Sequence, residues 1–371
     1  MNRSGIALAL LSALLFGVST PFAKLLLGAV DPWMMAGLLY LGAGLGLALV
    51  HAGRSLLSLP ASDARLQAGD VPWLALVVLF GGVSGPLLLM YGLRETDAAG
   101  ASLLLNLEAL ATMAIAWVVY RENVDRRLLL GAFAIIAGAV LLSWQGAASF
   151  SWGAGLIAAA CLCWGIDNNL TRRLSAADPI QIAMLKGLFA GAVNVALAVM
   201  GGSALPAAAD IASAGVVGFL GYGVSLALFV LALRHLGTAR TGAYFSLAPF
   251  AGAALAVPLL AEPLTLRLAA AACLMGFGLW LHLSERHEHE HVHEAMEHTH
   301  RHTHDEHHRH GHGEPIPPGT VHVHRHRHER LVHRHPHYPD IHHRHRHNGG
   351  AEAGGNGAGG DRAGEAPTAR S

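Results

Sequence analysis

The sequence predicts an all-α integral membrane protein with ten transmembrane helices, arranged as two inverted five-helix repeats, and a disordered cytoplasmic tail. Three observations support this class. The 371 residues are 53% hydrophobic but only 13% charged, a balance typical of membrane proteins. Apolar segments of about twenty residues, the length that spans a bilayer, recur along residues 1–283. After them the composition changes, and the chain becomes rich in histidine.

The apolar segments divide residues 1–283 into ten predicted helices. Their Gly- and Ala-rich composition permits close helix approach in lipid, whereas a barrel would show alternating segments of about ten residues. The first segment is longer than the apolar part of a signal peptide, so we predict a retained span. The predicted spans are 5–28, 32–51, 71–92, 98–119, 127–145, 152–171, 179–200, 211–233, 240–261 and 266–283.

One stretch of the chain occurs twice. Residues 94–125 align without a gap with residues 234–265, and residues 14–26 align with residues 162–174. Each half therefore holds five helices, and an odd number of crossings gives the two halves opposite orientations. Inverted repeats with a site at their interface are a recurrent plan for secondary transporters.

The repeats and the change of composition divide the chain into four predicted regions. They are a first five-helix repeat (1–147), a second (148–283), a His-rich metal-binding tail (284–347) and a Gly/Ala-rich disordered end (348–371). The short loops predict the orientation, because arginines gather on the cytoplasmic side of membrane proteins. With both termini in the cytoplasm, Arg94 and Arg267 are the only loop arginines outside. We therefore expect a multi-pass protein of the cell (inner or plasma) membrane.

The motifs of both halves resemble the EamA-type drug/metabolite transporter (DMT) superfamily. Its features here are a helix-1 segment, LLFGVSTPFAK, helix ends with a glutamate in YREN and LAEPLT, and SLAPF with a mid-helix proline. The resemblance covers about residues 5–283 and implies a transporter of small metabolites. Helix 4 departs from the pattern, since it reads NLEAL at 106–110.

Glu108 is the acid inside the apolar run of helix 4, where the second repeat has Ala248. A carboxylate at the bilayer centre costs about 2.5–3.5 kcal/mol, so it normally faces a cavity or a partner. We predict a coupling site or a contact for a cationic substrate; a structural, hydrogen-bonded role is the alternative. Thr112, one turn later, shares this face, and Asn106 and its repeat partner Ser246 are further candidates for the transport path.

Helices 6 and 7 carry the other candidates for the transport path. Asp167 and Lys186 fall at similar depth and are predicted to form an ion pair, either static or broken during transport. Asn194 and Tyr244 are weaker candidates for lining the path.

The tail is predicted to bind divalent transition metals. The chain has 26 histidines, and all but His51, His235 and His282 lie in the tail. Imidazole at this density suits Ni, Co, Zn or Cu in flexible complexes; pH sensing is the competing interpretation. The predicted ligands are His287, His289, His291, His293, His298, His300, His302, His304, His322, His324, His326, His328, His333, His335, His337, His342, His343, His345 and His347.

Three functions are compatible with these features. The first is a secondary transporter linked to Ni, Co or Zn as substrate or regulator. The second is a transporter of a small organic metabolite with the tail as an accessory buffer, and the third is a membrane-anchored metal reservoir or sensor. We expect no enzyme, because no nucleophile–base set or cofactor fingerprint occurs, and no required cofactor. Zero formal charge gives no basic field for nucleic acid; the oligomeric state, including a homodimer, stays open.

Overall fold

The computed structural model describes residues 3–56, 66, 68–120, 126–144, 151–171, 174, 178–236 and 238–283, and in the tail 287–293, 296–302, 322–328 and 331–337. Helices account for nearly all of the part before residue 284. The first half contains α1 (Arg3–Leu26), α2 (Pro32–Leu56), α3 (Val71–Val77), α4 (Gly85–Glu95), α5 (Ala98–Leu104), α6 (Leu107–Tyr120) and α7 (Arg126–Ser143).

The second half repeats this order. It contains α8 (Trp152–Thr171), α9 (Pro179–Met200), α10 (Ala208–Gly218), α11 (Ser225–Leu236), α12 (Thr238–Phe245), α13 (Ala248–Leu259) and α14 (Leu266–Leu283). In each half, two of the helical segments are broken, and each broken segment consists of a pair of helices. The pairs are α3 with α4 and α5 with α6 in the first half, and α10 with α11 and α12 with α13 in the second. Each half therefore has five helical segments among the described residues.

The breaks recur at matched places in the two halves. A π-helical turn, Val78–Ser84, joins α3 to α4, and a second one, Phe219–Val224, joins α10 to α11. Short turns at 105–106 and 246–247 then separate α5 from α6 and α12 from α13. Pro249 follows the second turn, in the first helical turn of α13, where proline loses no backbone hydrogen bond.

The membrane class is confirmed. Nine helical segments among the described residues are long and apolar enough to cross a membrane. The remaining predicted span, α8, is a helix of 20 residues but falls outside that group, because Asp167, Asn168 and Asn169 near its end lower its hydropathy.

The two halves interlock. Helix α1 packs on α11 and α13 of the second half, whereas α8 packs on α4 and α6 of the first. The helices α2 and α9 form one pair across the repeats, and α7 and α14 form another. Each half thus inserts its first helix into the other half, and most of the core lies between the repeats.

The tail contains four described strands. They are β1 (His287–His293), β2 (Met296–His302), β3 (His322–His328) and β4 (Leu331–His337), and β1 pairs antiparallel with β4 and β2 with β3. The registers place histidines opposite one another, for example His289 opposite His335 and His300 opposite His324.

The strands lie in the segment that the sequence predicts to be disordered. Each strand pair is isolated, and such a pair is only marginally stable in water, so the strands do not amount to a folded domain. The predicted ligands His304, His342, His343, His345 and His347 lie outside the described residues, as does the range 348–371.

The contact of α1 with α13 tests the interlocked packing. A Cβ on Gly17 would lie 2.1 Å from the carbonyl oxygen of Ala248, so we expect Gly17→Ala to lower the free energy of unfolding by about 1–3 kcal/mol through overpacking. Thermal unfolding of the purified full-length protein in detergent measures the effect. Gly155→Ala in α8 is the control, because a Cβ there meets nothing within 4 Å. Equal melting temperatures for the two variants would contradict the packing.

Candidate functional site

A cavity of about 400 Å³ lies inside the bundle where the two halves meet. Helices of both repeats line it. Its charged residues are Glu108 of α6, Asp167 of α8 and Lys186 of α9. Its aromatic residues are Phe16, Tyr40, Trp164, Tyr222, Phe229 and Phe245.

The cavity lies toward one face of the bundle, which we call the N-terminal face because α1 begins there. The last turns of α8 and the first turns of α9 both lie at this face, and they supply Asp167, Ala183 and Lys186. Leu47, in the later part of α2, lines the cavity as well. The deeper wall is formed by Phe16, near the middle of α1.

The opposite face is closed by polar contacts. The ammonium group of Lys24 donates to the carbonyl oxygens of Leu93 at 2.6 Å and Thr96 at 2.7 Å, at the turn from α4 to α5. The carboxylate of Glu262 accepts from the backbone N–H groups of Ala98 and Ala99 at 2.6 and 2.8 Å. We call this set of contacts the Lys24–Glu262 closure; it joins α1, the end of α13 and the start of α5.

Glu108 sits in the first turn of α6, just after the break at 105–106. Its Oε1 accepts a hydrogen bond of 3.0 Å from the side-chain amide of Asn168, and the same amide lies 3.1 Å from Oγ1 of Thr112. Asn169 donates to the carbonyl oxygen of Thr112 at 3.1 Å. The end of α8 therefore supplies amides to the start of α6.

Asp167 and Lys186 form the ion pair that the sequence predicts. The Asp167 side chain is 6% exposed and that of Lys186 19% exposed, and Thr171 donates a hydrogen bond of 3.3 Å to Oδ1 of Asp167. Each of the two charges therefore has a partner of opposite sign. A buried charge without such a partner would be strongly destabilising.

The π-helical turn 78–84 lies directly behind this pair. Such a turn lacks the regular hydrogen bonds of an α-helix, and its carbonyl groups are satisfied by side chains. Tyr40 and Trp164 both donate to the carbonyl oxygen of Gly81, at 2.7 and 3.0 Å. Asn194 donates to that of Gly82 at 3.0 Å. These bonds fix two of the cavity's rings against the turn.

In each repeat the first helix packs against the π-helical turn of the other repeat, but the side chains at the two contacts differ. In the aligned stretches Trp164 matches Phe16 and Asp167 matches Ser19. A Cβ on Gly81 would meet the carboxylate of Asp167 at 2.0 Å, and one on the matched Gly221 would meet Cβ of Ser19 at 2.5 Å. The turn at Gly81 therefore packs against the charged Asp167, whereas the matched turn at Gly221 packs against the small hydroxyl side chain of Ser19.

The structure brings only some of the predicted path residues together. Glu108, Asp167 and Lys186 line the cavity, and Thr112 reaches it through Asn168. The other four predicted path residues lie elsewhere.

Two of them hydrogen-bond the backbone at helix breaks: Asn106 donates to the carbonyl oxygen of Leu103, and Ser246 donates to that of Gly242. Asn194 is buried behind the turn 78–84. Tyr244 is next to Phe245 in the chain but is not among the described lining residues.

Sequence reasoning missed the aromatic residues. Only 6% of the chain is aromatic, so six rings around one cavity form a strong local enrichment. One signal was available, since Phe16 and Trp164 occupy matched positions of the aligned stretches. Their contacts join segments far apart in the chain, and periodicity within one helix does not reveal such contacts.

Metal ligands are not grouped in the bundle. Among the described residues no set of three or more His, Cys, Asp or Glu side chains lies together as a metal site would require. The predicted metal ligands all belong to the tail, and their role stays a prediction.

The ion pair can be tested by double substitution. Lys186→Met leaves Asp167 buried without its cation, so we expect the free energy of unfolding to fall by about 3 kcal/mol. Adding Asp167→Asn should recover most of that loss, because no buried charge remains. Thermal unfolding of the single and double variants in detergent measures the coupling, and additive losses would show that the pair is not coupled.

Comparisons with known proteins agree with this architecture. A profile of the EamA-like transporter family matches twice, at residues 3–144 and 151–284. An uncharacterized transporter of Methanothermobacter thermautotrophicus (strain Delta H) is 30% identical over 273 residues, which are 69% of this chain and 79% of that protein. A solved crystal structure shares the fold, with a TM-score of 0.56 and 19% identity over 76% of this chain and 96% of that one. The chain belongs to the EamA-like transporter family.

Proposed function

We propose that this protein is a secondary transporter that moves a small organic solute through the cavity by alternating access. The observation that supports the proposal is the asymmetry of the bundle. A cavity with three charged side chains lies toward the N-terminal face, whereas the Lys24–Glu262 closure joins α1, α5 and the end of α13 at the other face. This is the arrangement expected of one of two alternating states.

The closure consists of contacts that can break. The Glu262 carboxylate bonds two backbone N–H groups, and the Lys24 ammonium bonds carbonyl oxygens at a turn. Water can replace such bonds at a membrane surface, but Leu93, Ala98 and Ala99 are themselves buried, so opening also has to separate apolar side chains there. The arginine-rich loops favour placing the N-terminal face, and with it the cavity, on the cytoplasmic side of the cell membrane.

An organic solute suits the cavity better than a bare metal ion. Transition-metal sites usually contain imidazole or thiolate ligands, whereas the described lining contains no histidine or cysteine, and one of its two carboxylates is paired with Lys186. The volume of about 400 Å³ lies within the range of small-molecule sites. We therefore propose that Ni, Co or Zn binds the histidine tail as an accessory or regulator.

Transport can be tested without knowing the solute. Proteoliposomes of the full-length protein are incubated with an aqueous extract of small metabolites, and their contents are measured by mass spectrometry. We expect at least one solute to accumulate above the level in empty liposomes. Glu108→Gln should reduce that accumulation, because it removes the lining carboxylate. Glu95→Gln is the matched control, since Glu95 is exposed and pairs with Arg94 outside the cavity. No accumulation by the wild-type protein would refute the proposal.

The role of the tail has a separate test. A chain ending at residue 283 should lose most bound Ni or Zn, measured by mass spectrometry of the metal-equilibrated protein, because the predicted imidazole ligands are removed. It should keep solute accumulation in proteoliposomes. Removing only residues 348–371 is the control and should leave metal binding unchanged. If the chain ending at 283 binds as much metal as the full-length protein, the tail is not the metal site.

A further inference from the structure

The charges of the cavity do not balance. Among the described lining residues, Glu108 and Asp167 are acidic and Lys186 is basic. Lys186 is engaged by Asp167, and the side-chain partner that the structure gives Glu108 is the neutral amide of Asn168. The described lining thus holds one more carboxylate than cationic side chains, and in an apolar environment such an excess favours a bound cation.

Five of the six aromatic lining residues form one continuous wall. Tyr40 lies 5.7 Å from Tyr222, and Tyr222 lies 5.6 Å from Phe16, measured between ring centroids. The chain of rings continues from Phe16 to Phe245 at 5.3 Å and from Phe245 to Phe229 at 4.9 Å. The faces of aromatic rings attract cations, most strongly where water is excluded.

The ring wall and the carboxylate lie close together. The hydroxyl of Tyr40 is occupied at the carbonyl oxygen of Gly81, as is the indole N–H of Trp164. Both groups therefore offer the cavity mainly their ring surfaces. Glu108, Tyr40 and Tyr222 line the same cavity. The described lining thus combines one carboxylate in excess of the cationic side chains with a wall of rings.

We infer that the cavity binds a monovalent organic cation with an apolar or aromatic body, such as a substituted ammonium ion, with its charge at Glu108 and its body against the ring wall. This inference rests on the proposed transport function for its physiological meaning. Binding itself can be measured independently of transport. A neutral or anionic solute of the same shape would leave Glu108 without a counter-charge.

Three probes that share a benzyl group separate the classes. Equilibrium dialysis of the purified full-length protein compares benzyltrimethylammonium, neutral N-benzylacetamide and anionic phenylacetate. We expect the cation to bind at least about tenfold more tightly than the other two, which corresponds to about 1.4 kcal/mol. Equal affinity for the three probes, tighter binding of phenylacetate, or no binding of the cation at millimolar concentration would overturn the inference.

Two pairs of variants locate the site. Glu108→Gln should abolish the preference for the cation, whereas Glu95→Gln should keep it. Phe16→Leu should weaken binding of the cation about threefold to thirtyfold, which corresponds to the range of cation–π interaction energies. Phe277→Leu, whose ring is exposed on α14, should have no effect. Full cation preference in Glu108→Gln contradicts the proposed site, and the wild-type probe comparison stays decisive if that variant does not fold.

The outcomes distinguish this inference from the transport proposal. If the cation binds but nothing accumulates in the proteoliposomes, the ligand class stands and the transport function fails. If only neutral or anionic metabolites accumulate, transport stands and the cation class is wrong.

Discussion

The carbonyl oxygen of Gly81 receives two hydrogen bonds, from Tyr40 and Trp164, and the candidate site is built around them. A backbone group inside a membrane must be satisfied by the protein, since lipid offers no partner. The π-helical turn 78–84 interrupts the regular pattern of bonds, so side chains of α2 and α8 complete it. These bonds place two rings at the cavity, and the Asp167–Lys186 pair lies against the same turn. One irregular turn thus explains why polar and aromatic residues meet there.

The two repeats share a backbone plan but differ in chemistry. Both halves have a π-helical turn and a later helix break, and each inserts its first helix into the other half. The charges are unequal, because Asp167 stands where the first half has Ser19, and Glu108 stands where the second half has Ala248. The repeated backbone plan is common to both halves, whereas the unequal residues give the bundle one cavity with charged side chains. The exchange of first helices makes the interface between the halves the place where a site with contributions from both can form.

The charged residues of the candidate site could be predicted from the sequence, because each of them stands out singly within an apolar helix. Acids and a lysine inside apolar helices stand out because burying a charge is costly, so Glu108, Asp167 and Lys186 were identified before their positions were known. Asn106 and Ser246 were grouped with them because they match in the repeat. The structure shows that both side chains bond the backbone of their own segment at helix breaks. A polar side chain in a membrane helix can either line a cavity or hydrogen-bond the backbone at a helix break. The sequence alone does not distinguish these two roles.

The sequence by itself determined the helical membrane class and the repeated order of segments in the two halves, because apolar length and repeated spacing are properties of the linear chain. It also determined which ionisable side chains had to find partners in the bundle. Only the tertiary structure decided which face is closed by Lys24 and Glu262 and which rings join Phe16 in one wall. Those contacts link residues from different helices and both repeats. They depend on crossing positions and helix rotation, which are set when all segments pack together.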